Sequence, residues 1–160
     1  MSFILDAQRR ADVSGAFARY RAYLDQVRHQ MPASAYGLAS SDWYFNFNDH
    51  RCPHDAWLES IIISEPSSGR RDEERATSIR IRLLGARHDG FIEFYYPCVS
   101  RYRIDAIDAA GGHKDWRYDE FRLSDEGGVI HEIEWCGTVD TARWVIEATD
   151  VHYQWLPFGG

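Results

Sequence analysis

The hydrophobic pattern of this chain changes its period once. Val13, Phe17, Tyr20, Leu24, Val27 and Met31 recur at spacings of four, three, four, three and four. That is one apolar stripe on a helix. Arg9, Arg10, Arg19, Arg21, Asp25 and Arg28 fall largely off it. The pattern predicts an amphipathic helix over about residues 5–29. Gly15 weakens it by about 1 kcal/mol relative to Ala, and Pro32 stops it. Residues 33–41, small and polar, read as a loop. Trp43, Phe45 and Phe47 then alternate with polar neighbours, which predicts a short strand over 42–48.

From Trp57 onward the period is two. Pro53 biases Cys52 towards an extended conformation. Ile61-Ile62-Ile63 is apolar on both faces, as a strand covered on both sides would be. Residues 77–84 place Ile79, Ile81 and Leu83 inward and Arg80 and Arg82 outward. Asp89-Gly90 supplies the positive-φ positions of a hairpin turn. Strands follow over 91–96, 99–107, 116–123, 129–135, 143–149 and 151–156. Polar turns separate the strands at a spacing of 10–15 residues. The fold class is α+β: an N-terminal amphipathic helix followed by a mostly antiparallel β-sheet of about eight strands. Meander, sandwich and partly closed barrel all satisfy the spacing. One domain over residues 1–160 is expected, with its β-rich body over 42–156.

Composition narrows the chemistry. A net charge of −7 argues against nucleic-acid binding, which needs a basic footprint, and suits attraction to a basic partner. Six Trp, nine Tyr and eight Phe offer both core and interface. Cys52, Cys98 and Cys136 form no CxxC pair, so free thiols in a reducing cytoplasm are expected. No signal peptide and no apolar run near the ~20 residues of a membrane helix is visible. No cofactor is expected, and the oligomeric state is left open.

Four constellations could carry chemistry. His50, Cys52, His54 and Asp55 form an H-x-C-x-H-D cluster whose alternate side chains would converge on an extended segment, as a metal-dependent hydrolase would require. It is similar to the H-x-H-x-D-H motif of the metallo-β-lactamase fold, but its central residues differ and Pro53 intrudes. The bland reading makes Asp55 a turn clamp and packs His54 beside Trp57. Glu132 and Glu134 share a strand face about 6–7 Å apart, a spacing that suits a glycosidase pair or, more simply, a solvated face. Cys136 with His131 would be a nucleophile pair, but a strand-end Cys is more often a small buried hydrophobe. Arg101-Tyr102-Arg103 and Trp116-Arg117-Tyr118 interleave aromatics with basics, against an acidic total. Phosphate-binding loops and a nucleophile elbow are missing. The balance leans away from enzymes. An aromatic-lined barrel holding a small apolar ligand is a further alternative.

His54-Asp55-Ala56-Trp57-Leu58, leading into Ile61-Ile62-Ile63, then the alternating residues 79–84, the Phe91-to-Pro97 strand and the aromatic strand over 151–156, resemble small β-rich bacterial proteins. These have an H-D-x-x-L segment and occur among the immunity proteins of polymorphic toxin systems. The resemblance covers residues 54–156. It implies a non-catalytic cytoplasmic binding protein that neutralises a toxin, with His54-Asp55 fixing the entry to its strand. It carries no catalytic residue. A basic toxin would suit the acidic total. The expected contacts are therefore acidic: Asp72, Glu73, Glu74, Asp115, Asp119, Glu120, Glu132 and Glu134.

Overall fold

The computed structural model describes residues 1–105, 108–137 and 141–159. Two helices precede an eight-stranded antiparallel sheet that is not closed into a barrel. Where one long helix was expected, a 3-10 turn at Ala7–Arg10 is followed by a break at Ala11 and Asp12, and then by α1 (Val13–Val27). The break comes from capping. The Asp12 carboxylate accepts from the Gly15 N–H at 2.8 Å, satisfying a donor that a helix start would otherwise leave unpaired. A Cβ on Gly15 would lie 1.8 Å from that carboxylate, so the glycine makes room for the cap. Tyr20, Leu24 and Val27 of the stripe are buried, whereas Val13 is exposed.

Helix α2 (Ala33–Ala39) stands where a loop was expected. Alanine favours helix strongly, and Ala35, Leu38 and Ala39, at i, i+3 and i+4, are its buried face. Residues 42–48 are turns rather than a strand. Tyr44 turns inward as a plug, fully buried and meeting Phe45, Phe121 and Tyr153, while Phe47 stays exposed.

The strands are β1 (Trp57–Ser64), β2 (Ser78–Leu84), β3 (Gly90–Tyr96), β4 (Val99–Ile104), β5 (Asp115–Leu123), β6 (Val129–Cys136), β7 (Thr141–Ala148) and β8 (His152–Pro157). The tail of the expected fourth strand, Ala106 and Ile107, lies outside the described residues. The order is β4-β7-β6-β5-β1-β2-β3-β8. Two three-strand meanders, β1-β2-β3 and β5-β6-β7, therefore exchange their fourth strands. β4 follows β3 but joins β7, and β8 follows β7 but joins β3. The meanders meet edge to edge at one residue pair, Trp57 with Asp115. Asp55 N–H donating to Trp116 O at 2.8 Å and Trp116 N–H donating to Ala56 O at 3.0 Å extend this seam.

Beyond the seam the sheet folds over, and the inner faces of its halves meet. Phe94 of β3 stacks on Trp116 of β5 at 5.3 Å between centroids, and Trp116 meets Trp135 at 5.4 Å. Ile79, Ile81, Leu83 and Ile92 line one inner face and Ile133, Trp135 and Ile146 the other, all fully buried. These side chains fill the interior where a ligand-holding barrel would need space.

Helix α1 covers the edge of β5 left free by the seam. The Tyr20 hydroxyl donates to Phe121 O at 2.9 Å and accepts from Phe121 N–H at 2.8 Å, and the Tyr23 hydroxyl accepts from Leu123 N–H at 2.8 Å. Phenol groups thus stand in for a neighbouring strand. Tyr20→Phe should cost about 2–4 kcal/mol in urea unfolding, because two buried backbone groups lose their partner. Tyr23→Phe, half-buried and with one bond, should cost less. An equal, negligible cost for both would mean the edge is served otherwise.

Candidate functional site

Of the eight acidic contacts expected from the sequence, the structure covers half. Asp119, Glu120, Glu132 and Glu134, expected as exposed contacts, are buried or nearly so. Asp119 points into the core. It accepts from Tyr44 Oη at 2.6 Å, Trp116 Nε1 at 3.1 Å and His131 Nε2 at 2.8 Å, while the Tyr96 hydroxyl meets His131 Nδ1 at 2.6 Å. Burial pushes the His131 imidazole below its ordinary pKa, outweighing the hydrogen bond and charge of Asp119. That direction favours the neutral ring, for which the geometry sets the proton on Nε2, facing the Asp119 carboxylate, and lets Nδ1 accept from Tyr96. Burial likewise drives the Tyr44 and Tyr96 phenols well above theirs, helped by the charge of Asp119.

The neighbouring acids point the other way, under an N-terminal strap. Phe3, Ile4 and Leu5 donate their backbone N–H groups to Glu120 Oε2 at 3.0, 2.7 and 3.1 Å, a nest of the kind that holds anions. Arg122 bridges Glu120 at 2.5 Å and Glu132 at 2.7 Å, Arg143 bridges Glu132 at 3.0 Å and Glu134 at 3.3 Å, and Arg9 holds Glu134 at 2.9 Å. Glu132 and Glu134 do share a face, but Arg143 lies between them. That geometry suits a clamp and leaves neither carboxylate free for acid–base work. Burial raises the Glu132 pKa, yet the two arginines outweigh it and hold the carboxyl below its usual range.

The other expected contacts lie at the surface. Asp72 pairs with Arg70 at 3.0 Å, and Glu74 is exposed. Glu73 accepts from Ser67 Oγ at 2.6 Å and Ser68 N–H at 2.7 Å, and these bonds, Ser67 first, pull its pKa to about 2. Asp115 lines a groove of about 690 Å³ at the seam, with Asp55, Trp57, Leu58, His113 and Lys114 around it. Partial burial, then the charge of Asp55, push the Asp115 carboxyl up.

His50, Cys52, His54 and Asp55 do not converge, and no group of three metal-ligating side chains occurs among the described residues. His50 pairs with Asp89. Cys52 faces the core, where burial pushes its thiol up to about 12. His54 stacks on Phe47 at 3.9 Å rather than beside Trp57, and Asp55 lies 3.2 Å from it. Cys136 and His131 lie on opposite faces of β6, since the residues differ by an odd number.

What the sequence reading missed is a bare sheet face. The outer side of β1-β2-β3-β8 has three cross-strand rows in register: Trp57–Leu84–Phe91–Leu156, Ser60–Arg82–Glu93–Gln154, and Ile62–Arg80–Tyr95–His152. Trp57 is 52% exposed and Ile62 54%. The expected cover on both faces of β1 is therefore absent. Phe158 extends the first row by packing on Phe91 at 4.9 Å. In the second row Arg82 bridges Glu59 at 2.7 Å and Glu93 at 3.0 Å, with its guanidinium 3.9 Å over Phe91. In the third, Arg80 lies 4.3 Å over Tyr95 and makes no ion pair among the described residues. A signal existed: the second, fourth and sixth residues of 91–96 are the buried ones, so Phe91 and Tyr95 had to face outward.

Comparison with protein-family models, curated proteins and solved structures finds no match to this chain. No helix among the described residues is long and apolar enough to cross a membrane.

Two outcomes are expected. The unfolded chain takes up a proton that native His131 refuses, so stability is full above about pH 6.5 and falls as pH drops below it, by up to about 1.4 kcal/mol per unit for each such histidine. His54 and His113, lowered chiefly by burial, act in the same direction. Urea unfolding at several pH values should show this slope and a smaller one in His131→Gln; identical slopes would refute the assignment. Asp55 has φ +65°, a region costly for residues with a Cβ and easier for Asp than Ala. Asp55→Ala should lose about 1 kcal/mol and Asp55→Gly almost nothing. A loss of equal size in both would place the role in the carboxylate.

Proposed function

We propose that this is a non-catalytic, immunity-like binding protein of the cytoplasm that neutralises a protein partner. The observation that carries the reading is the bare face of β1-β2-β3-β8. Its exposed Trp57 and Ile62, half-exposed Phe91 and Tyr95, and Arg80 and Arg82 are the residue types that dominate interface energetics. A contiguous apolar row across four strands is more than scattered surface hydrophobes require. The resemblance of residues 54–156 to immunity proteins of toxin systems points the same way. So does the use of the acid–base groups: Glu132 and Glu134 are clamped by Arg143, and His131 with Asp119 lies in the core. Free Cys52, Cys98 and Cys136 suit a reducing compartment. The net charge of −7 would speed encounter with a basic toxin. Asp72, Glu74 and Asp115 remain at the surface to contribute to that attraction.

The reading expects a toxin-like gene beside the one for this chain, and the test is growth of a host that makes its product. Coexpression of the wild-type chain should restore growth. The double variant Ile62→Asp, Tyr95→Ala should keep its melting temperature and lose protection, since truncating one interface aromatic alone costs about 2 kcal/mol, roughly thirtyfold in Kd. Protection that survives the double variant would place the contact elsewhere. Failure of the wild-type chain to protect would sink the immunity reading.

A further inference from the structure

The three rows of the bare face differ in charge, and their order constrains what can lie on them. The row through Leu84 and Phe91 is apolar. In the middle row the single guanidinium of Arg82 carries two carboxylates, Glu59 from the bulge beside Ser60 at 2.7 Å and Glu93 at 3.0 Å, one negative charge in excess. The next row carries Arg80, exposed and in no ion pair or hydrogen bond among the described residues, its guanidinium 4.3 Å over the Tyr95 ring. Apolar, negative and positive thus follow one another along the strands, at steps of about 6.6 Å, two residues of strand rise. A partner strand has the same rise, so its alternate side chains fall on successive rows. Resting on the binding-face reading above, we infer that the partner docks a β-sheet face whose rows run apolar, cationic, anionic: a hydrophobic row on Leu84 and Phe91, a lysine or arginine at Glu59 and Glu93, and a carboxylate at Arg80.

Other occupants fit less well. A second copy related by a two-fold axis along the strands sets each row on itself, like charge on like. With the axis across the strands and through the middle row, that row still meets itself and Arg80 meets the apolar row; with the axis between the second and third rows the carboxylates meet Arg80, but the apolar row of each copy is left on the polar Ser64–Ser78 pair. A nucleic-acid backbone would find one free guanidinium on a chain of net charge −7, with Arg82 already neutralised. A carboxylate set in an apolar and basic surface matches both the local pattern and the overall charge.

The experiment uses the whole chain, labelled with nitrogen-15, and two cyclic β-hairpins. One displays three rows, leucine, lysine and glutamate. The other has the lysine and glutamate rows exchanged. The matched hairpin should shift the amides of Glu93, Tyr95, Arg80 and Phe91 and bind about tenfold more tightly than the exchanged one, the sum of two charge pairs gained against two repulsions. Arg80→Glu, an exposed position, should reduce or reverse the preference while leaving the spectrum otherwise folded. Equal affinities with shifts on this face would overturn the row order and leave the binding face standing. Shifts confined to other surfaces, or none at millimolar hairpin, would overturn both.

Discussion

The Asp119 carboxylate joins parts of the chain that nothing else brings to one point. Tyr44 reaches it from the connection after α2, Trp116 from the start of β5, and His131 from β6, and His131 passes the contact on to Tyr96 of β3. Backbone ladders hold each half of the sheet, but they cross the seam only where residues 55–57 meet Asp115 and Trp116. The angle between the halves is therefore fixed by side chains. A carboxylate with three donors in a low-dielectric core is directional in a way that packed isoleucines are not. Removing it would strand three donors, and such orphans cost far more than the bonds contribute when made.

The next residue applies the same chemistry on the other side of β5. Glu120 projects outward and is sealed by three consecutive N–H groups of the strap and by Arg122. Two adjacent acids thus anchor two different layers, one the opposing half-sheet, the other the N-terminal segment. The arginines matter for geometry as well as charge. Arg122 and Arg143 each reach two carboxylates, as a planar fork with several donors can. One half-sheet is therefore covered on both sides and the other on one side, and it is the singly covered half that presents aromatics and arginine to solvent.

Most strands were legible because period-two alternation is local: Ile79, Ile81 and Leu83 announce their face within seven residues. The buried acids were not legible for the opposite reason. Glu134 finds Arg9 across 125 positions and Glu120 finds Phe3 across 117, and alternation alone marks both as solvated. Asp119 misleads in another way, since a bulge between Trp116 and Tyr118 shifts the parity of β5 and turns it inward with Phe121. Helix α2 was hidden by its small residues, which read as loop until Ala35, Leu38 and Ala39 are seen as one face. For the site, the motif that stood out, His50 to Asp55, scatters because Pro53 and the turn at Asp55 break the extended geometry that convergence required. The bare face was present in the pattern of β2 and β3, but only the register across four strands shows that its outward residues form rows.

The exchange of fourth strands has a consequence for how the chain is made. As β1, β2 and β3 leave the ribosome, β3 has a partner on one side only. The strand that completes it, β8, follows after about fifty further residues, at a few to tens of residues per second. For those seconds Phe94 and Tyr96 belong to an open edge, and β4, the next strand to emerge, belongs to a half that does not yet exist. Neither meander can finish alone. The molecule is expected to become native in one late step, with its edge guarded until then only by the charges of Arg80, Arg82 and Glu93 beside it.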